Sequence, residues 1–80
     1  MPNRRKLVKW HGGALRIWRV KRGIPTAVFA ERMALLLGEA VHQDTIGRYE
    51  TNRREPPIGH LWAILLLTGL PLEAFLQGHP

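Results

Sequence analysis

Apolar residues return every third or fourth position along most of this chain: Leu15 and Trp18; Phe29, Met33, Leu36 and Leu37; Ile46 and Tyr49; Ile58, Leu61 and Leu65; Leu72, Phe75 and Leu76. A helical turn brings such positions to one face, whereas a half-buried strand alternates apolar and polar residues. The pattern predicts about five short helices and no sheet. Gly12-Gly13, Gly23 to Pro25, Gly38, Asn52 to Pro57 and Gly69 to Pro71 punctuate the segments. Pro25, Pro57 and Pro71 each suit a first helical turn, where the missing N–H would have no partner anyway. Asn52 follows Tyr49 and Glu50 and suits the left-handed conformation that ends a helix.

Helices below about 12–15 residues are marginal alone in water, so these must pack on one another. The core predicted from their inner faces is Leu15, Trp18, Phe29, Ala30, Met33, Val41, Ile46, Tyr49, Ile58, Leu61, Leu65, Leu72 and Phe75. Composition agrees: 45% hydrophobic and 22% charged residues describe a folding chain, not a disordered one. With 80 residues, one small all-α domain is the ceiling. The absence of cysteine excludes disulfides and thiolate metal sites, and the four histidines lie 18 or more residues apart without ligand spacing. No metal and no cofactor are expected. The most apolar run, LWAILLLTGLPLEAFL, is shorter than the roughly 20 residues of a membrane span and is broken by Gly69, Pro71 and Glu73. No secretory signal pattern follows the basic N-terminus. A cytoplasmic protein without a membrane partner is the expectation.

Charge sharpens the picture. The net charge is +6, and Arg4, Arg5, Lys6, Lys9, Arg16, Arg19, Lys21 and Arg22 all precede the first acid, Glu31. Such asymmetry points to nucleic acid first and an anionic membrane second; the bland alternative is a solvated basic tail. Residues 1–13 form a basic arm, with Arg4, Arg5, Lys6 and Lys9 set ahead of a Gly-Gly hinge. It either tracks phosphates or a minor groove, or is simply solvated. Enzymatic function has no support, since Thr26, Thr45, Thr51, Thr68 and Tyr49 show no spacing of an activated nucleophile.

Four stretches in order, LRIWRVKRGI, VFAERM, VHQDTIGRYETNRREPP and LTGLPLEAFL, resemble the phage-repressor-like helix-turn-helix family, the Cro/CI or xenobiotic-response-element group. The resemblance covers Leu15 to Leu76. It implies a lambda-repressor-like DNA-binding domain over residues 14–77, with helix 2 at about 25–37 and the recognition helix at about 42–51. It further implies a structural salt bridge between Arg19 and Glu50, and a small residue at Ala30 where helix 3 crosses helix 2. One departure stands out: the step from Phe29 to Ile46 is six residues longer than the family pattern, with the extra length near LLLGEAV. Helix 2 is therefore expected to run through Leu37, end near Gly38 and reach Val41 by a longer turn.

The resemblance assigns base reading to Gln43, Asp44 and Arg48, and backbone contacts to Thr26, Thr45, Thr51, Asn52, Arg53 and Arg54. The chemistry is apt: Gln pairs with adenine, Arg with guanine, and Asp accepts from cytosine in the major groove. Each assignment has a plainer counterpart. Asp44 near a helix start is favoured by the dipole whatever it touches, and Arg48 has Asp44 one turn away as an ion-pair partner. The implied function is a sequence-specific double-stranded DNA-binding regulator, more readily a repressor because the chain carries no activator or ligand domain. Trp62, Leu66 and Leu67 add an apolar stripe to helix 4 and suggest a homodimer on a palindromic site. The competing reading is an antitoxin or phage-encoded adaptor that holds a protein partner through helices 4 and 5.

Overall fold

The computed structural model of the protein describes residues 8–78. Four α-helices follow in order, α1 (Gly13–Lys21), α2 (Thr26–Leu37), α3 (Gln43–Glu50) and α4 (Ile58–Thr68), and then a 3-10 turn at Leu72–Phe75. The all-α class and the number of helical segments match the periodicity. The expectation of no sheet does not hold: β1 (Val8–Trp10) pairs antiparallel with β2 (Leu76–Gly78), with Trp10 opposite Leu76. Strands of three residues are too short for alternation to register in the sequence.

Helix ends obey local chemistry. Pro25, Pro57 and Pro71 occupy the extended position just before a helix, one residue earlier than a first-turn proline. Gly38 at φ 70° and Gly69 at φ 69° end α2 and α4 in the left-handed region, and Asn52 does so after α3 at φ 62°. Continuation of α2 to Leu37 absorbs part of the added length. Residues 38–42 form the longer turn, which runs back beside Ala27, Val28, Ala30 and Ala34 of α2.

The core gathers Trp10, Leu15, Phe29, Ala30, Met33, Ile46, Tyr49, Ala63, Ile64 and Phe75. α2 lies centrally, against both α3 and α4. Two predicted core residues are on the surface: Ile58 is 83% exposed and Leu72 40% exposed. α4 is apolar on nearly every side, so spacing alone could not select its inner face, which is set by Ala63 and Ile64. Leu67, expected at an interface, is half-buried against the core. Ile58, Trp62 and Leu66 remain exposed at four-residue intervals along one face.

The largest correction concerns the arm. Residues 8–13, expected as part of a separate segment, belong to the folded body, whereas Arg4, Arg5 and Lys6 lie outside the described residues. Trp10 is buried and stacks on Phe75, with ring centroids 5.3 Å apart and planes 11° from parallel. Gly12 is no hinge: it precedes α1 where the chain passes close against the backbone of α3.

Candidate nucleic-acid interface

α3 is short, polar and poor in helix propensity, so it depends on what surrounds it. At its start, the His42 imidazole Nδ1 accepts a hydrogen bond from the Asp44 backbone N–H at 3.1 Å. Asp44 also places a carboxylate at the positive end of the helix dipole. On its inner side Ile46 and Tyr49 are fully buried.

Glu50 locks the helix to α1. Arg19 Nε donates to Glu50 Oε2 at 2.7 Å, Nη2 donates to Oε1 at 2.9 Å, and Nη1 donates to the Ile24 carbonyl at 2.8 Å. Both side chains are buried, and the hydrogen-bonded Glu50 carboxylate raises the Arg19 guanidinium above its usual pKa against the opposing effect of burial. The pair is fully engaged and leaves no part of Arg19 free to read a base.

Three further groups brace α3, and none is signalled by the sequence. The Tyr49 hydroxyl lies 2.7 Å from His60 Nδ1 on α4, and His60 Nε2 lies 3.3 Å from Glu39 Oε2 in the lengthened turn. One histidine thus joins the turn that leads into α3 to the core side of α3 itself. Burial pushes the Tyr49 phenol above its ordinary pKa, which favours the neutral, hydrogen-bonding form. At the far end, Trp10 Nε1 donates to the Tyr49 carbonyl at 2.8 Å, and the Gly12 N–H donates to Asn52 Oδ1 at 2.7 Å. The first satisfies a carbonyl of the last helical turn, a group that α-helical bonding leaves open. The Asn52 side-chain oxygen is thereby engaged within the fold.

The outer side of α3 is different. Gln43, Asp44, Gly47, Arg48 and Thr51 line one concavity with Thr26 at the start of α2 and Arg53 just beyond α3. Thr45, Asn52 and Arg54 lie outside that lining, and Thr45 is half-buried. Lys9 is exposed on β1. Asp44 Oδ2 lies 3.6 Å from His42 Nδ1, and among the described residues neither Arg48 nor Arg53 has a carboxylate partner. The segment after α3 curls back, the Arg53 N–H donating to the Arg48 carbonyl at 2.9 Å, which fixes both arginines on one surface. Thr51 Oγ1 donates to the Gly47 carbonyl at 2.9 Å. Gly47 sits in the concavity with nothing within 4 Å of where a Cβ would stand, so its lack of a side chain serves no contact inside the fold.

This is a surface of hydrogen-bonding side chains, with two arginines that no carboxylate of the described residues pairs, on a rigidly backed helix. Charge-assisted bonds from such arginines suit phosphate oxygens and guanine edges. Among the described residues no helix is long and apolar enough to cross a membrane. A helix-turn-helix family model matches residues 15–75, from α1 to the 3-10 turn. Among curated proteins and solved structures, no significant match was found.

Proposed function

The chain belongs to the phage-repressor-like helix-turn-helix family of DNA-binding regulators, and on that premise we propose that it reads one duplex sequence with α3 in the major groove and represses by occupying it. The observation that carries this reading is the concavity joining Thr26, Gln43, Asp44, Arg48 and Arg53 on the unburied side of α3. Gln43, Asp44 and Arg48 read bases; Thr26, Thr51, Arg53 and Arg54 meet the backbone. Selection of bound duplexes from a random pool, followed by salt titration, tests it. Failure to enrich any site over random DNA sinks the proposal. With a site in hand, Arg48→Ala is expected to relax one base position by about 1–3 kcal/mol, whereas Arg53→Ala weakens all sequences alike and flattens the salt slope.

Gly47 gives a second expectation. Alanine fits there without contact and is worth up to about 1 kcal/mol in a helix interior. Gly47→Ala is expected to raise the melting temperature while weakening DNA binding, because the added methyl stands where backbone and groove come close. A variant that gains stability and binds as before would show that the glycine has no role in approach.

The exposed stripe of Ile58, Trp62 and Leu66 supports a symmetric dimer, matched to a palindromic site. Replacing Trp62 and Leu66 with glutamine is expected to convert the operator-bound species from two protomers to one in sedimentation. Unchanged stoichiometry would remove the stripe from the interface. Loss of a heterologous protein with dimerisation and DNA binding intact would favour the adaptor reading.

A further inference from the structure

A second concavity shares no lining residue with the α3 surface: Ala14, Ile17, Trp18 and Lys21 of α1, with Arg22 just past its end, form one side and Leu70 the other. The α1 positions recur at helical spacing and make one face, while Leu15 and Arg19 between them turn to the core. Ile17 is 59% exposed in the middle of that face. Arg22 is held at the rim, its guanidinium 4.2 Å from the centroid of the Trp18 ring and its Nη1 donating to the Trp18 carbonyl at 3.1 Å. Among the described residues neither Lys21 nor Arg22 has a carboxylate partner. The dipole of α1 explains cations at its C-terminal end, but not an exposed isoleucine beside them.

We propose that this groove docks a short acidic and apolar segment of a protein partner. Its apolar side chains seat on Ile17, Trp18 and Leu70, and its carboxylates meet Lys21 and Arg22. Charge decides the occupant. A second copy seated through this same face would set Lys21 and Arg22 against their own counterparts, whereas a DNA strand supplies anions but little to cover the apolar floor. A groove of about 380 Å³ has room for only a few side chains, which makes the segment short and the affinity modest.

The test uses the full, isotopically labelled chain and a blocked synthetic peptide of alternating leucine and glutamate, with the leucine–lysine peptide of equal length as its counterpart. Backbone amide shifts are expected on residues 14–22 and at Leu70 with the glutamate peptide and not with the lysine one. Lys21→Ser combined with Arg22→Ser is expected to weaken that binding at least about fivefold, the upper range for exposed charge pairs. Ile17→Asn does the same from the apolar side; both changes lie at exposed positions, so the serine variant decides if the asparagine variant folds poorly. Shifts confined to α3, equal binding of the lysine peptide, or no shift at millimolar peptide would overturn the proposal. So would serine variants that lose duplex affinity while keeping the peptide, since the cations would then serve DNA.

Discussion

Replacing Gly12 by alanine is expected to leave little folded protein. A Cβ at this position would overlap the Tyr49 carbonyl oxygen and lie 2.7 Å from its carbon and 2.9 Å from Glu50 Cα. All three are backbone atoms of α3, so no rotamer change relieves the clash. Relief requires the start of α1 to move off α3, which breaks the Gly12–Asn52 hydrogen bond and the Trp10–Tyr49 bond beside it. Each buried group left unsatisfied costs about 1–3 kcal/mol. With Trp10 packing lost as well, the total is on the order of 4 kcal/mol or more, in the range reserved for the most disruptive substitutions. A domain of this size has about 4–12 kcal/mol of stability in all. Urea denaturation followed by circular dichroism measures the loss. Gly13→Ala is the control, because its Cβ would meet only the His11 imidazole at 3.2 Å. Equal midpoints for the two variants would refute the close-approach account.

The second large effect is expected at Glu50. Glu50→Ala strands a buried guanidinium and should cost about 3–5 kcal/mol. The double variant Arg19→Met, Glu50→Leu removes both charges and should recover most of that loss, short of about 1 kcal/mol for the Ile24 carbonyl that loses its donor. Denaturation midpoints of the single and double variants decide the matter. A double variant no more stable than Glu50→Ala would mean that the attraction within the pair, and not the orphaned charge, sets the cost. Because the pair joins α1 to α3, the single variant should also lose duplex binding.

These two sites differ in how far the sequence exposes them. Arg19 and Glu50 sit in motif positions, and the family resemblance brings them together before any coordinates do. Gly12 and Trp10 carry no such mark, since their partners, Tyr49, Asn52 and Phe75, are distant in sequence and no local spacing encodes the meeting. The helices and Gly38 at the end of α2 were legible because each rests on local chemistry, and the start of α3 near residue 42 was legible through the family resemblance. The inner face of α4 was not, because a helix apolar all round offers no contrast between its sides. Of the proposed base readers, Gln43, Asp44 and Arg48 share the concavity; of the proposed backbone contacts, Thr45, Asn52 and Arg54 lie outside its lining.

The ribbon of β1 and β2 also orders events in time. Contacts of α2 with α3 and α4 join segments that are near in sequence, whereas the ribbon sets Val8 opposite Gly78 and closes the largest loop. Closing it costs the most chain entropy and comes late. During synthesis α2, α3 and α4 can pack once Thr68 has left the ribosome, but Trp10 has no ring to stack on until Phe75 follows. The Trp10 clasp on the Tyr49 carbonyl at the end of α3 is therefore expected to tighten last, after the helices have packed.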